Sequence, residues 1–529
     1  MATLLTPTQR KQIGAYYTNQ WAAQFLVDAV VSQQDRVLEP CVGDGVFIDA
    51  WQQRPAGMRG GVMVGCDISS DVVEGGRQRY PGVTLHRTDF FDVAPGALGQ
   101  FDAVVGNPPF VRYQRFQGAQ RAQALQRAAS AGVRLSALTS AWVPFLVHAT
   151  QQLAPGGTMG VVAPLELTYA RYARPFLAYL GQHFGALRII GSDERLFPDL
   201  NEATVLLLAR NWGGSTEAVD LVHASCWSDL HAQQIWTHEA LSIPLSAWAD
   251  NSVRLRTVHL LVEDRALYQE LEPVATPLGA VATLSIGYVT GANDWFHLDR
   301  RAVDRWGLHE DVQPVVRRHA DLTGRGLELT ASDIADLTDS PAHWLFAPRT
   351  PLSAAARAYI AAGEAAGVSQ TYKCRVRSPW WRVRGVRSHD FALGVLSTDA
   401  PRLVASTIPA TNSLLVGDLL HGQDARVVAG ASLTGLAALS AELVGHALGG
   451  GALKLEPAEA RRWLLPLVGA PDRQAVCAID RALRQARWAE AVQRADHLFL
   501  EQGLGLPGHA VDQLWAATRR LRRQRGRRP

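Results

Sequence analysis

Lysine is nearly missing from this sequence. Of 52 basic residues only Lys11, Lys373 and Lys454 are lysines, so arginine carries almost all the positive charge, a bias that a GC-rich coding sequence largely accounts for. The net charge is only +3, so a polyanionic partner has to be sought in the distribution of charge and not in its total. Cysteine is scarce too: Cys41, Cys66, Cys226, Cys374 and Cys477 are scattered and form no CxxC pair, which speaks against a disulfide framework and a zinc site. No metal is expected. No apolar run approaches the length needed to cross a bilayer, and the start "MATLLTPTQRKQIG" lacks the apolar core of a signal peptide. The expected compartment is the reducing cytoplasm, with no membrane partner.

What is present is an ordinary folded composition, 47% hydrophobic and 19% charged, in 529 residues, too many for one compact core. Two or three domains are expected. The first part alternates β-rich runs ("DRVLEP", "GGVMVGCD", "GVTLHRTD", "FDAVVGNPP", "GGTMGVVAP", "ALRIIGSDE", "EATVLLLAR") with helical patterns, which predicts a mostly parallel α/β sheet. The last two runs read as an antiparallel hairpin around "RLFPDLN". From about 211 to 275 the pattern weakens, and the remainder mixes β-like runs with a strongly helical end. The tail "RRLRRQRGRRP" reads as a solvated like-charge run.

Chemistry concentrates at the strand ends. In "VLEPCVGDGVFIDAW" a strand runs into a tight loop whose Gly43 and Gly45 permit conformations and close approach that a Cβ resists; alone, such a loop fits a structural turn as well as a ligand site. The next strand ends at Asp67, roughly 20 residues on, where an acid grips ribose hydroxyls in nucleotide-binding folds. The third ends at Asp89 and Phe90, placed to bond and flank an adenine. The fourth, "FDAVVGNPPFVRY", breaks at Asn107: Pro108 and Pro109 end ladder pairing and stiffen the turn. The Asn107 side-chain oxygen and the Pro108 carbonyl can then accept from one exocyclic amino group beside the flat face of Phe110, which implies a planar heteroaromatic amine as substrate.

In motif order as well as in single motifs the sequence resembles the gamma-class, TaqI-type N6-adenine DNA methyltransferases of restriction-modification systems. The resemblance covers nearly the whole chain. "GAYYTN" resembles the segment that closes over methionine, which implies roles for Tyr17 and Thr18; "LEPCVGDG" resembles the S-adenosyl-L-methionine loop, with Glu39, Pro40, Cys41, Gly43 and Gly45 on the cofactor; Asp67, Ile68, Asp89, Phe90 and Asn107 complete that set. "NPPF" resembles the catalytic tetrapeptide, with Asn107, Pro108 and Phe110, and "ERLFPDLNEATVLLLAR" resembles the segment whose Phe stacks on a flipped base, here Phe197. "PCVGDG" departs from the small residues many members carry there.

The architecture implied is a Rossmann-like S-adenosylmethionine-dependent methyltransferase domain over 1–245, a connector over 246–275, and a mixed α+β target-recognition domain over 276–529. In that last domain "TYKCRVRSP" alternates Lys373, Arg375 and Arg377 with apolar residues, predicting a strand with one basic face, and Arg382 and Arg384 follow in "WWRVRGVR". Contact with DNA is expected there, and the resemblance adds the turn Thr290 to Asn293. Double-stranded DNA is the expected partner of a chain monomeric on it, with a cognate restriction endonuclease as a candidate second partner. The rivals are an RNA or protein-glutamine methyltransferase with the same tetrapeptide, and a catalytically silent DNA-binding subunit.

Overall fold

The computed structural model describes residues 18–55, 58, 60–194, 196–197, 204–249, 257, 259–420, 422–448, 451–469 and 471–525. The chain divides into two compact units, Met1–Leu261 and Val262–Pro529. The division falls inside the stretch 246–275 expected as a connector, and the helix Val262–Leu271 belongs to the second unit.

The first unit is built on one sheet. Its strands are β1 (Arg36–Glu39), β2 (Val62–Asp67), β3 (Thr84–Arg87), β4 (Phe101–Gly106), β5 (Leu153–Pro164), β6 (Phe184–Ser192), β7 (Thr204–Trp212), β8 (Ala218–Ala224) and β9 (Leu241–Pro244), in the order β3-β2-β1-β4-β5-β7-β6-β8-β9. The first five in that order run parallel; β7 enters antiparallel between β5 and β6. The seven apolar runs of the sequence are β1 to β7, and the expected hairpin is the β6–β7 pair. Strands β8 and β9 lie where the sequence pattern weakens, and they extend the sheet beyond β6.

Strands such as β4, whose residues are nearly all buried, read as continuous apolar runs because helices cover both faces. Helix α1 (Gln20–Val30) starts where the Asn19 side chain accepts from the Trp21 N–H at 2.8 Å, and it buries Ala22, Ala23, Phe25, Leu26 and Val30. Helices α2 (Val46–Gln52) and α3 (Ser70–Arg79) follow β1 and β2. Because β1 pairs with both β2 and β4, the winding reverses between β1 and β4, and a crevice opens at their carboxyl ends.

The second unit is mixed α and β. Its four-stranded sheet runs Ala282–Ile286, Leu414–Leu419, Phe391–Gly394, Leu403–Ala405, and its core gathers Phe391, Leu393, Leu415 and Trp463 with the apolar faces of the C-terminal helices. Two sequence expectations are corrected here. "TYKCR" is not a strand: Tyr372–Arg375 is a single helical turn. Nor is the basic tail solvated throughout. Helix Gly508–Gln524 carries Arg520 to Asp264 and Arg522 to Glu442, and Arg525, fully buried, forks onto Glu442 at 2.7 and 2.9 Å. Among the described residues no single helix is long and apolar enough to cross a membrane.

Candidate active site

The crevice at the switch point is lined by the loop after β1. Gly45 precedes α2 at φ +81°, in the left-handed region, and a Cβ there would stand 2.7 Å from the Tyr80 hydroxyl, so only glycine closes this turn. Tyr80 in turn donates to Asp49 at 2.9 Å and fixes α2 against α3. The backbone N–H of Gly43 donates to Asp67 Oδ2 at 3.0 Å and that of Ser69 to Asp67 Oδ1 at 2.8 Å. The acid at the tip of β2 therefore organises both the loop after β1 and the entry to α3. Each of its oxygens retains a second lone pair for a ribose hydroxyl.

Beyond it, Ile68 is 65% exposed, an uncovered apolar side chain at the mouth of the crevice. Asp89 accepts from the Phe91 N–H at 3.1 Å and from Gln120 at 2.8 Å. Phe90 is buried, its ring centre 5.1 Å from Phe145 and 4.8 Å from His148. Its ring forms part of the core behind the crevice and is not the open flanking face expected of it; the accessible apolar surface at this edge is that of Ile68.

Glu39, the last residue of β1, is fully buried, and neither carboxylate oxygen has a hydrogen-bond partner among the described residues. Burial, followed by the nearby Asp44, Asp67 and Asp49, pushes its carboxyl well above the usual carboxylate range. A buried acid ringed by acids is held protonated unless a cation joins it. Pro40 is buried beside the end of β4, where a Cβ on Gly106 would lie 3.5 Å from Pro40 Cδ.

Asn107 follows β4 directly and is held from two sides. Its Nδ2 donates to Thr18 Oγ1 at 3.2 Å, and its main-chain carbonyl accepts from the Cys41 thiol at 3.0 Å. Burial, then Glu39 and Asp67, push that thiol up, so it stays a neutral donor. The far end of the tetrapeptide is anchored where the Ala141 N–H donates to Val111 O at 2.9 Å. With Nδ2 directed at Thr18, the acceptor that Asn107 can offer a ligand is Oδ1. Phe110 and Phe197 are 5% and 7% exposed, so their faces are covered as the chain stands. Tyr17 lies outside the described residues. The ties from Cys41 to Asn107 and from Gln120 to Asp89 carry no sequence signal, since their partners are 66 and 31 residues away.

In the second unit the expected DNA-contacting residues separate. Thr290 is buried and donates to Asn293 Oδ1. Arg377 donates to the carbonyls of Val289 and Thr290. Arg382 donates to Thr350 at 3.0 Å, and Arg375 lies over the Tyr372 ring at 5.5 Å. Lys373 and Arg384 are exposed. Beneath the turn, Tyr288 bonds His297 Nε2 at 2.8 Å while His297 Nδ1 reaches Asn293 O at 3.1 Å. A carbonyl only accepts, so Nδ1 carries the proton and Tyr288 donates to Nε2. Burial, then Arg317, push this histidine down to about 4, which keeps it neutral.

A sheet ordered 3-2-1-4-5-7-6, with β7 antiparallel and ligand loops at the carboxyl ends of β1 to β4, is the Rossmann-like fold of class I S-adenosylmethionine-dependent methyltransferases. Its cofactor is S-adenosyl-L-methionine, whose cationic groups suit a buried Glu39 carboxyl that has no hydrogen-bond partner among the described residues. In sequence, two stretches of the chain match family models. Residues 78–197 match the Eco57I restriction-modification methylase and residues 255–500 the C-terminal domain of Type II methyltransferase M.Eco57I. Type II methyltransferase M.BstVI of Geobacillus stearothermophilus is 23% identical over 240 residues, 38% of this chain and 42% of that protein. Type II methyltransferase M.HindII of Haemophilus influenzae is 19% identical over 332 residues, 59% of this chain and 61% of that protein. The chain thus spans less than two thirds of the length of either relative. Among solved structures, the Type IIL restriction-modification enzyme MmeI in complex with DNA shares the fold with TM-score 0.53 and 10% identity, over 98% of this chain and 80% of that one. The two matched stretches are thus similar to restriction-modification methyltransferases.

Proposed function

We propose that the chain is a site-specific DNA methyltransferase that modifies the N6 amino group of adenine in duplex DNA. The observation that carries this reading is the double restraint on Asn107, through its amide by Thr18 and through its carbonyl by Cys41 of the cofactor loop. When bound, S-adenosylmethionine supplies an electrophilic methyl group. Glu39, the loop at Gly43 and Gly45, Asp67, Ile68 and Asp89 hold it. Asn107 Oδ1 and the Pro108 carbonyl accept hydrogen bonds from the amino group, which favours a pyramidal nitrogen and stabilises the positive charge that develops on it. Neither a nucleophilic side chain nor a covalent enzyme intermediate is needed, and rate comes mainly from alignment.

A paired adenine has to leave the duplex, at a cost of a few kcal/mol. Phe110 and Phe197 offset this by stacking, worth roughly 1–3 kcal/mol per base, once their faces open to the base. The second unit selects the target on a chain acting as a monomer in the cytoplasm, and a separate restriction endonuclease is the natural partner of a protective methyltransferase. The test is incubation with labelled S-adenosylmethionine and duplex DNA, RNA or ribosomal protein, followed by nucleoside analysis. N6-methyladenine in DNA is expected; label in methylcytosine, RNA or protein, or cofactor binding with no transfer at all, would overturn the proposal.

A further inference from the structure

A cleft of about 380 Å³ in the second unit lies between Ser285–Val289 on one side and Lys373, Arg377, Arg384, Arg387 and His389 on the other. Four lining side chains are cationic and none is a carboxylate, but the four are not equally available. Arg387 forks onto Asp418 at 2.6 and 3.2 Å, and His389 bonds the same carboxylate at 3.0 Å. Arg377 is turned inward, its guanidinium divided between the Thr290 carbonyl at 2.6 Å and the Val289 carbonyl. Lys373 and Arg384 are exposed and have neither a hydrogen bond nor an ion pair among the described residues. Ile286, 54% exposed, lines the cleft, and the Lys373 Nζ lies 5.6 Å from the centre of the exposed Tyr372 ring. Turn and helix are locked together: Gly291 sits at φ +84°, and a Cβ on it would fall 2.3 Å from Lys373 Cβ.

We propose that this cleft seats a backbone phosphate of the target DNA, with Lys373 and Arg384 as its contacts and Arg377 as the positioning residue that holds the Val289–Thr290 turn against the helix Tyr372–Arg375. The inference rests on the DNA reading above and adds to it which cations touch the duplex, and where. Cationic donors alone can take a phosphate or the O6 and N7 acceptors of guanine; most protein–DNA hydrogen bonds go to the backbone, and a loss of binding confined to the target duplex would mark a guanine edge instead. This cleft offers cationic donors almost alone, and the hydroxyl of Tyr288, one of its few other polar groups, already donates to His297. A phosphodiester is the ligand that fits such a lining.

The test measures binding of the full chain to a duplex carrying the methylated site and to an unrelated duplex, from about 50 to about 200 mM salt. The Lys373→Ala/Arg384→Ala double variant is expected to weaken binding to both duplexes by the same factor and to lower the slope of log K against log salt by about one. An unchanged slope, or a loss confined to the target duplex, overturns the phosphate assignment while leaving DNA methylation standing. Wild-type protein that binds neither duplex removes the DNA reading and this one with it. Arg377→Lys keeps the charge but not the two-carbonyl fork. Its affinity is expected to fall as far as that of Arg377→Ala, and retention of most of it would make Arg377 a contact after all.

Discussion

At the scale of single residues, Asn107 and Glu39 occupy adjacent strand ends with opposite kinds of demand. Asn107 is positioned and neutral, and its acceptor matters only as charge develops on the attacking nitrogen. Asn107→Ala is therefore expected to lower kcat by about 10²- to 10³-fold, the usual cost of removing one aimed group, with DNA affinity nearly unchanged. Single-turnover methylation beside equilibrium binding checks this; an equal loss in both would mean that Asn107 serves binding. Glu39 is buried with no hydrogen-bond partner among the described residues, and burial favours its protonated form. Its raised pKa makes a stability contribution that is present below the ordinary carboxyl range and lost as pH rises through the folded value. Glu39→Gln is accordingly expected to weaken cofactor binding and yet to raise the melting temperature of the cofactor-free protein relative to wild type, by a margin that widens as pH increases. A margin that narrows toward alkaline pH would place a cation beside Glu39 before any cofactor arrives.

At the scale of elements, legibility followed the range of the interactions involved. The strand-end motifs were readable because each is a local string: a glycine loop, then an acid, then a second acid, then Asn-Pro-Pro, all carried to one edge by a parallel sheet. "TYKCRVR" misled because alternation over a few residues does not fix a period. In the helical turn, residues two apart lie about 200° apart around the axis, so Cys374 is buried while Tyr372 is 67% exposed. Strand β8 was missed because Asp220 and His223 interrupt its apolar run, and β9 because it is only four residues long. The basic tail misled for a different reason: the acid that takes Arg525 indoors is Glu442, 83 residues earlier. That pair gives the C-terminal helix a definite task. Arg525→Ala removes the two-bond fork from a buried carboxylate, and is expected to destabilise the second unit by about 3–5 kcal/mol. Urea unfolding is the measurement, and a change under about 1 kcal/mol would mean that the helix is held by its apolar face alone.

At the scale of the whole molecule, the two units separate the two affinities on which the proposed reaction depends. The loop after β1, Asp67 and the Asn-Pro-Pro-Phe turn all belong to the first unit, whereas the exposed Lys373 and Arg384 belong to the second. A substitution confined to one set of contacts is then expected to leave the other binding constant where it was. Asp67→Ala removes two charge-assisted hydrogen bonds that order the loop and the entry to α3, each worth about 1.5–3 kcal/mol. Even if only one bears on the ligand, affinity for S-adenosylmethionine should fall about 10- to 100-fold, since about 1.4 kcal/mol is a factor of ten. Affinity for duplex DNA measured without cofactor should stay within about twofold, well under the tenfold that 1.4 kcal/mol represents. Calorimetry for the cofactor and fluorescence anisotropy for the duplex give the two numbers on one preparation. Should DNA affinity fall in step with cofactor affinity, the first unit's loop would itself be part of the DNA-binding surface, and the division of labour between the units would have to be redrawn.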